Sequence, residues 1–350
     1  MKKAREKRIT SLESALKNSK IDSLFVTNET NVTYLSGFEG HDSMLFLAGG
    51  KRYLITDSRY VEDASRSVKS FDVVLTERSV YETVKKLARE TRVKKVGFES
   101  MDIPFEAASR LTEALGHIRA VPVKNMVESI RAIKDPGEVV SIQKAIALAR
   151  AVLERTINSI KPGVKEEHLC RIIEIDFLEH DAEPSFDTIV ASGVNTSQPH
   201  ARPTGRKVSK NDMLMIDIGC KIDGYCSDLT RMVVVGKIEK KISRIYSIVS
   251  QAQEIAIGKI TPGARISDID ASARAHIAEH GYGKCFGHAL GHGVGMDIHE
   301  QPSISGNAHE TLKPGMVFTV EPAIYVPGLG GVRIEDMVLV TPKGCRVLTR

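Results

Sequence analysis

The stretch Met213–Val235, MLMIDIGCKIDGYCSDLTRMVVV, places two acidic residues on either side of a predicted hairpin turn. Residues 221–224, Lys-Ile-Asp-Gly, separate two apolar runs, and this composition predicts two antiparallel strands. Asp217 interrupts a run that should be buried, where an isolated carboxylate is costly. The midpoint between Asp217 and Asp228 falls inside the predicted turn, so we expect the two carboxylates to face each other. Like charges this close repel each other unless a proton or a cation lies between them.

A second stretch repeats this arrangement near the end of the chain. Residues 316–340 read MVFTVEPAIYVPGLGGVRIEDMVLV, and Glu321 and Glu335 flank a turn rich in glycine and proline. One such pair alone could be two carboxylates at the edge of a loop, or an ion pair with Arg231 or Arg333. Two pairs with the same arrangement in one region favour a functional site, because carboxylates forced together are typical of such sites.

A third segment, residues 286–300, reads FGHALGHGVGMDIHE and combines four glycines with three histidines. The glycines argue against a continuous helix and predict close approach of the backbone to its neighbours. A single histidine is more often structural. His288, His292 and His299, together with four acidic residues elsewhere, are candidate metal ligands or acid–base groups.

Four carboxylates and an imidazole form an oxygen-rich set of ligands. Two divalent cations would balance the four negative charges and could hold a hydroxide between them. Such ligands favour Mn²⁺ or a similar ion over structural zinc, which prefers more cysteine and histidine. The residues therefore predict metal-assisted hydrolysis, but they do not by themselves specify which bond is cleaved.

The composition excludes several other classes of protein. The chain has 350 residues, 42% of them hydrophobic, and a formal net charge of +5, and its length predicts about two domains. No basic block follows Met1–Arg8, no apolar run is long enough for a membrane helix, and no secretory signal is expected. The five cysteines are scattered without a CxxC pair, so we expect reduced thiols in a cytoplasmic protein.

The order of the patterns predicts how the chain is divided. Residues 1–123 alternate between helical and strand-like patterns, which predicts an α/β domain with a mixed sheet and a hairpin turn at Gly49-Gly50. Proline and glycine residues punctuate the segment 124–136, which is predicted to be a linker. Residues 137–350 read as helices, strands, helices and strands. This is an α+β plan with a hint of internal duplication.

Together, these segments resemble the prolidase and aminopeptidase P branch of the pita-bread-fold metallopeptidases over essentially the whole chain. The resemblance rests on residues 31–38 (NVTYLSGF), 191–195 (ASGVN), His200, 203–204 (PT), the Asp217/Asp228 hairpin, 291–295 (GHGVG), 320–322 (VEP) and 332–336 (VRIED). It implies a creatinase-like N-terminal α/β domain followed by a pita-bread catalytic domain with two pseudo-related halves.

The resemblance also implies a ligand set for two divalent metal ions. Asp217 would chelate one ion, His292 and Glu321 would hold the other, and Asp228 and Glu335 would bridge both. Manganese or cobalt is expected at these positions, with zinc as the alternative.

Further side chains are implied to act on the substrate. His200, His288 and His299 would line the site, bind substrate and stabilise the intermediate. Arg333 would orient the wall that carries Glu335, and Tyr325 would lie nearby in support. The resemblance further implies short proline-containing peptides as substrates and a homodimeric assembly. The charge and hydropathy patterns described above indicate no nucleic-acid or membrane partner.

One departure from the family bears on the substrate. Many dipeptide-specific members carry arginine where this chain has Ser303, and serine cannot form the bidentate contact with a carboxylate. The main expectation is therefore an Xaa-Pro aminopeptidase that accepts longer peptides at least as well as dipeptides. The alternatives are an Xaa-Pro dipeptidase, a metal-free creatinase-like hydrolase and a catalytically silent binding module. The complete ligand set argues against the last two.

Overall fold

The computed structural model describes residues 2–76 and 78–350, which form two compact units that divide between Ile130 and Arg131. This division falls inside the segment 124–136 that the sequence predicts as a linker. That segment contains a short helix, Glu128–Arg131, and the buried side chain of Lys134. The limits 1–123 and 137–350 for the two domains stay a prediction.

The first unit contains a six-stranded mixed sheet in the order β4-β3-β2-β1-β5-β6. Its elements are α1 (Lys2–Asn18), β1 (Ser23–Val26), α2 (Glu29–Ser36), β2 (Met44–Ala48), β3 (Lys51–Thr56), α3 (Val61–Ser67), β4 (Asp72–Leu75), α4 (Val80–Glu90), β5 (Lys95–Glu99), α5 (Phe105–Leu115), β6 (Arg119–Val123) and α6 (Glu128–Arg131). The β1–β2 and β2–β3 pairs are antiparallel, and the other three pairs are parallel. The predicted mixed sheet is therefore confirmed.

Two local features of this unit follow from single residues. Gly49 and Gly50 join β2 to β3 with φ values of 58° and 78°, as the predicted hairpin turn requires. The sequence pattern does not predict α2, which overlaps the NVTYLSGF segment. This helix begins where the Asn28 side chain accepts a hydrogen bond from the Asn31 amide, and it ends at Gly37 in the left-handed conformation.

The second unit consists of four long helices and several small sheets. Its elements are α7 (Pro136–Ser159), α8 (Glu166–Leu178), β7 (Glu183–Pro184), β8 (Ile189–Ser192), β9 (Met213–Ile218), β10 (Cys220–Ile222), β11 (Tyr225–Cys226), β12 (Leu229–Val234), α9 (Lys240–Gly258), α10 (Ile266–Glu279), β13 (Gly291–Gly293), β14 (Glu300–Ile304), β15 (Val317–Val320), β16 (Ala323–Val326), β17 (Gly330–Arg333), β18 (Asp336–Thr341) and β19 (Gly344–Val347). The larger sheets have the orders β12-β9-β8 and β14-β13-β15-β18-β19.

The two halves of this unit repeat the same backbone hydrogen bonds. Before α8, Gly163 donates to the carbonyl of Val208 over 2.8 Å, and before α10, Gly263 donates to the carbonyl of Leu312 over 2.8 Å. In each half the partner residue donates back to the residue that follows the glycine. A helix pair followed by a strand pair thus occurs twice, which confirms the predicted plan of two pseudo-related halves.

The strand register confirms one carboxylate pairing and corrects the other. In β16–β17 the partners are centred on Gly328, and this places Glu321 and Glu335 opposite each other across the turn, as predicted. In β9–β12 the Cα partner of Asp217 is Thr230, so the prediction that Asp217 directly faces Asp228 is wrong. The hairpin turns one residue later than its composition suggests, which leaves the two aspartates as diagonal neighbours.

Apolar side chains on the helices support the strands that carry these residues. Helix α9 buries Ile245, Val249, Ala252 and Ala256, which recur at the spacing of one helix face, and it packs against α10 and β17.

In the described part of the chain, no helix combines the length and the hydropathy needed to cross a membrane.

Candidate active site

A cavity of about 560 Å³ in the second unit gathers nearly all of the predicted site residues. Those that line it are His200, Asp217, Asp228, His288, His292, His299, Glu321, Arg333 and Glu335. Tyr325 lies behind this wall, where its hydroxyl contacts Arg333 and His288. Residues separated by more than 130 positions therefore meet in one place.

The glycines of the GHGVG segment allow β13 to enter this crowded region. A Cβ atom on Gly291 would lie 2.0 Å from the carbonyl oxygen of Thr319, and one on Gly293 would lie 2.2 Å from that of Gln301. Larger residues at either position would push the strands apart, so the expected close approach of the backbone is confirmed. His292 lies between the two glycines and is held within the cavity wall.

Asp217 and Arg333, which both line the cavity, form an ion pair. The Arg333 guanidinium donates to Oδ2 of Asp217, to the Tyr325 hydroxyl over 2.7 Å and to the Pro199 carbonyl over 2.9 Å. Its Nε also donates to the Thr230 hydroxyl, which in turn donates to Glu335 over 2.7 Å. The other carboxylate oxygen of Asp217, Oδ1, is buried and has no hydrogen-bond partner among the described residues.

Three further side chains converge to within ligand distance of one another. Asp228, His292 and Glu335 each offer a ligand atom, and these atoms all lie within 4.8 Å of one another. Nε2 of His292 is 3.5 Å from Asp228 Oδ2 and 3.4 Å from Glu321 Oε1. The cluster therefore presents three carboxylates around one imidazole nitrogen.

The histidines are oriented by backbone carbonyl groups. Nδ1 of His292 lies 3.2 Å from the Gly293 carbonyl, and Nδ1 of His288 lies 2.8 Å from the Ala289 carbonyl. A proton on each Nδ1 satisfies these carbonyls and leaves each Nε2 as the free nitrogen. For His292 this nitrogen faces the carboxylates, and for His288 it faces the Tyr325 hydroxyl at 3.3 Å.

Burial makes the charged forms of these groups costly. It raises the pKa of Asp228 and of Glu335 well above the ordinary values, and repulsion among the neighbouring carboxylates adds to this effect. Burial also raises the pKa of Glu321 to about 7 and lowers the pKa of His288 and of His292 to about 4. Fully ionised carboxylates at these positions therefore need positive charge beyond that of Arg333.

The residues fit divalent cations. The unpartnered Oδ1 of Asp217 is a buried acceptor that lacks a donor, and the Asp228–His292–Glu335 group is a second set of ligands beside it. Carboxylate oxygens with one neutral imidazole suit ions such as Mn²⁺ and Co²⁺, and Glu321 is within reach of the same imidazole.

Several supporting residues are not evident in the sequence pattern. Glu166, fully buried at the start of α8, accepts hydrogen bonds from the Ser192 amide (2.6 Å) and the Thr204 hydroxyl (2.6 Å). Thr230 links Arg333 to Glu335 as described above. An acidic residue in the first turn of a helix and a threonine in a strand are both common, so nothing in the sequence distinguishes them.

Comparisons with known proteins agree with this site. Residues 140–342 match the family described as Metallopeptidase family M24, and residues 8–133 match the Creatinase/Prolidase N-terminal domain. A solved Xaa-Pro dipeptidase from Bacillus anthracis is 36% identical, with a TM-score of 0.95 over 99% of this chain and 98% of that one.

Two further relatives have similar coverage. The Xaa-Pro dipeptidase of Pyrococcus horikoshii is 34% identical over 95% of this chain and 94% of its own length. A solved X-Pro aminopeptidase from Thermotoga maritima is 33% identical, with a TM-score of 0.86 over 95% of this chain and 96% of that one.

Proposed function

The chain belongs to metallopeptidase family M24, a family of metal-dependent hydrolases, and from this premise we propose that it is an Xaa-Pro dipeptidase. The observation that carries the proposal is the group of Asp228, His292 and Glu335 beside the unpartnered oxygen of Asp217. The relatives named dipeptidases support this substrate over the longer peptides that Ser303 suggests. The homologues thus favour the alternative that the sequence placed second.

We assign the ligands of two divalent metal ions as follows. Asp217 Oδ1 would hold one ion, Nε2 of His292 and the carboxylate of Glu321 would hold the other, and Asp228 and Glu335 would contribute to both. The short separations within the Asp228–His292–Glu335 group support the bridging roles. When bound, such ions supply a nucleophilic hydroxide at neutral pH and Lewis-acid polarisation of the scissile carbonyl.

The protein's own residues orient the substrate around this centre. His288 is neutral at pH 7 because burial lowers its pKa to about 4. Its Nε2 can therefore accept a hydrogen bond from the Tyr325 hydroxyl or from a substrate group. His200 and His299 present further imidazole nitrogens to the same cavity. Arg333 holds Asp217, Tyr325 and the Pro199 carbonyl together, which keeps this wall in place before substrate arrives.

A second candidate function is that of an Xaa-Pro aminopeptidase. The Thermotoga maritima relative and the exposed serine at position 303 favour it, because no guanidinium at that position rewards a terminal carboxylate. The two candidates share all of the metal chemistry. They differ in whether the group after proline is a free carboxylate or a further residue.

Kinetics on matched peptides test the function. Metal-stripped protein, reloaded with Mn²⁺, Co²⁺ or Zn²⁺, is assayed on an Xaa-Pro dipeptide, the corresponding Xaa-Pro-Xaa tripeptide and an Xaa-Ala dipeptide. We expect hydrolysis that depends on added metal and on proline, with the dipeptide preferred. Hydrolysis without bound metal, or equal rates on the alanine peptide, would contradict the proposal.

The assembly and location are proposals too. We propose a homodimer, which light scattering of the purified protein would test. A cytoplasmic location accords with the five cysteines, all of which are free thiols in the structure.

A further inference from the structure

A dipeptide brings a second charge into the cavity, next to the bond that is cleaved. Its terminal carboxylate lies one residue beyond the scissile carbonyl, a span of at most about 3.6 Å along the chain. Enclosing this charge in the cavity is costly unless a cation or a hydrogen-bond donor faces it. The inference that follows rests on the proposed dipeptidase function and concerns which residue supplies that cation.

Two guanidinium groups occur among the described residues that line the cavity, Arg202 and Arg333. Arg333 is buried, and four of its five N–H groups already donate to Asp217, Tyr325, Thr230 and Pro199, so at most one donor remains. Arg202 is exposed to the cavity and solvent, and within the described part of the chain it forms no hydrogen bond or ion pair. Its donors are available to a ligand.

The segment that carries Arg202 is fixed at both ends. Before it, the Pro199 carbonyl accepts a hydrogen bond from Arg333 over 2.9 Å. After it, the amide and hydroxyl of Thr204 donate to the buried carboxylate of Glu166 over 3.1 Å and 2.6 Å. The backbone that carries Arg202 is therefore held in place before the substrate binds, so that only the arginine side chain has to be ordered on binding.

Ser303 does not supply the cation. It is exposed, carries a hydroxyl only, and is absent from the described lining of the cavity. We propose that Arg202 binds the C-terminal carboxylate of the dipeptide and thereby determines the preference for dipeptides. The planar guanidinium suits a carboxylate because it can donate two parallel hydrogen bonds.

This assignment predicts which peptides are cleaved with a lower kcat/KM than the dipeptide. A C-terminal amide has no negative charge for Arg202 to bind. A tripeptide moves its carboxylate one residue farther from the scissile bond, away from the fixed segment. Both should be poorer substrates than the dipeptide for the wild-type protein, and the difference should depend on Arg202.

The experiment compares a proline dipeptide with its C-terminal amide. Both peptides are assayed with wild type, Arg202→Gln and Arg202→Lys, each loaded with the same metal. The matched control is Arg244→Gln, because Arg244 is an exposed arginine on α9. For Arg202→Gln we expect kcat/KM on the dipeptide to fall by about 10- to 100-fold, mostly through KM, the range of a charged hydrogen bond. The amide should change little, Arg202→Lys should fall between, and the control should match wild type.

A second readout separates a substrate contact from a change in structure. Metal content and melting temperature of Arg202→Gln should equal those of wild type, while inhibition by the free product proline should weaken. An unchanged ratio of kcat/KM for dipeptide and amide in Arg202→Gln would overturn the inference alone. If wild type cleaves neither peptide, the proposed function fails and the inference fails with it.

Discussion

Arg131 and Glu300, 169 residues apart in sequence, form a buried ion pair directly beside the candidate active site. Lys134 donates to the same carboxylate over 2.6 Å, and its side chain is also buried. Glu300 follows His299, and its cross-strand partner Gly293 follows His292. The ion pair therefore anchors the first residue of β14, directly after His299, opposite the end of β13, which carries His292.

Replacing Glu300 should weaken both the fold and the site. Glu300→Gln removes the one carboxylate that two buried cations share, and loss of one partner from a buried pair costs about 3–5 kcal/mol in general. We expect the free energy of unfolding to fall by roughly 3 kcal/mol and kcat to fall because His299 loses its support. Urea denaturation and steady-state kinetics measure the two effects.

The matched control is the exposed pair between Lys144 and Asp223, in which both side chains are more than half exposed. Asp223→Asn should change stability little, because water already screens this pair. A Glu300→Gln protein that unfolds at the same urea concentration as Asp223→Asn would show that the buried pair does not stabilise the fold.

Removing one of the carboxylates assigned to the metal centre should abolish activity and leave the fold intact. Glu335→Gln or Asp217→Asn takes a negative ligand from the metal centre, and even residues behind the ligands typically affect such sites by 10- to 100-fold. We expect turnover to fall by more than about 100-fold and bound metal to decrease. Elemental analysis with circular dichroism checks this, and a full metal complement with near-normal turnover would contradict the ligand assignment.

Adding a guanidinium at position 303 should reinforce the preference for dipeptides. Ser303 lies directly opposite His292 in the β13–β14 pair, and directly opposite residues share one face of a sheet. Ser303→Arg should increase the ratio of kcat/KM for the dipeptide to kcat/KM for the tripeptide. The factor should correspond to at most ~1.5–3 kcal/mol, the free energy of a charged hydrogen bond. The same change made together with Arg202→Gln should restore part of the lost preference. An unchanged ratio in both backgrounds would indicate that position 303 does not face the substrate.

The first unit should show a pH-dependent stability that originates in Glu99. Burial raises the pKa of Glu99 to about 7, although the amides of Thr27 and Asn28 donate to its carboxylate. Its pKa in the folded state therefore exceeds the unfolded value of about 4.5, so the folded protein binds more protons. The contribution of Glu99 to stability is present below pH 4.5 and is lost as pH rises through 7.

Glu99→Gln isolates this contribution because glutamine does not titrate. The free energy of unfolding of wild type minus that of Glu99→Gln should decrease as the pH is raised from 5 to 8. Urea denaturation of both proteins at several pH values measures it. A difference that is constant over this range would contradict the assigned pKa shift.

The sequence by itself determined which chemistry is present. Asp217 lies in an apolar strand, and Glu321 and Glu335 lie immediately beside apolar strands. An uncompensated charge is too costly to keep there, so each carboxylate must be hydrogen-bonded, paired or bound to a metal. The glycines around His292 indicated a close backbone approach, since no larger residue fits there. The spacing of apolar residues also predicted most of the strands and all four long helices of the second unit. Burial of one face requires an apolar residue at every second position of a strand and about every third or fourth position of a helix.

Tertiary structure decided how these parts meet. The register of β9 and β12 depends on the exact turn, and composition placed it one residue early, so Thr230 rather than Asp228 faces Asp217. The contacts of Arg131 with Glu300 and of Glu166 with Thr204 join residues far apart in sequence, and no local pattern marks such partners. Arg202 becomes a candidate for substrate recognition only once the fold shows that it lines the cavity without a partner. Local free energies select helices and strands, but the pairing of distant polar groups is set by the packing of the whole chain.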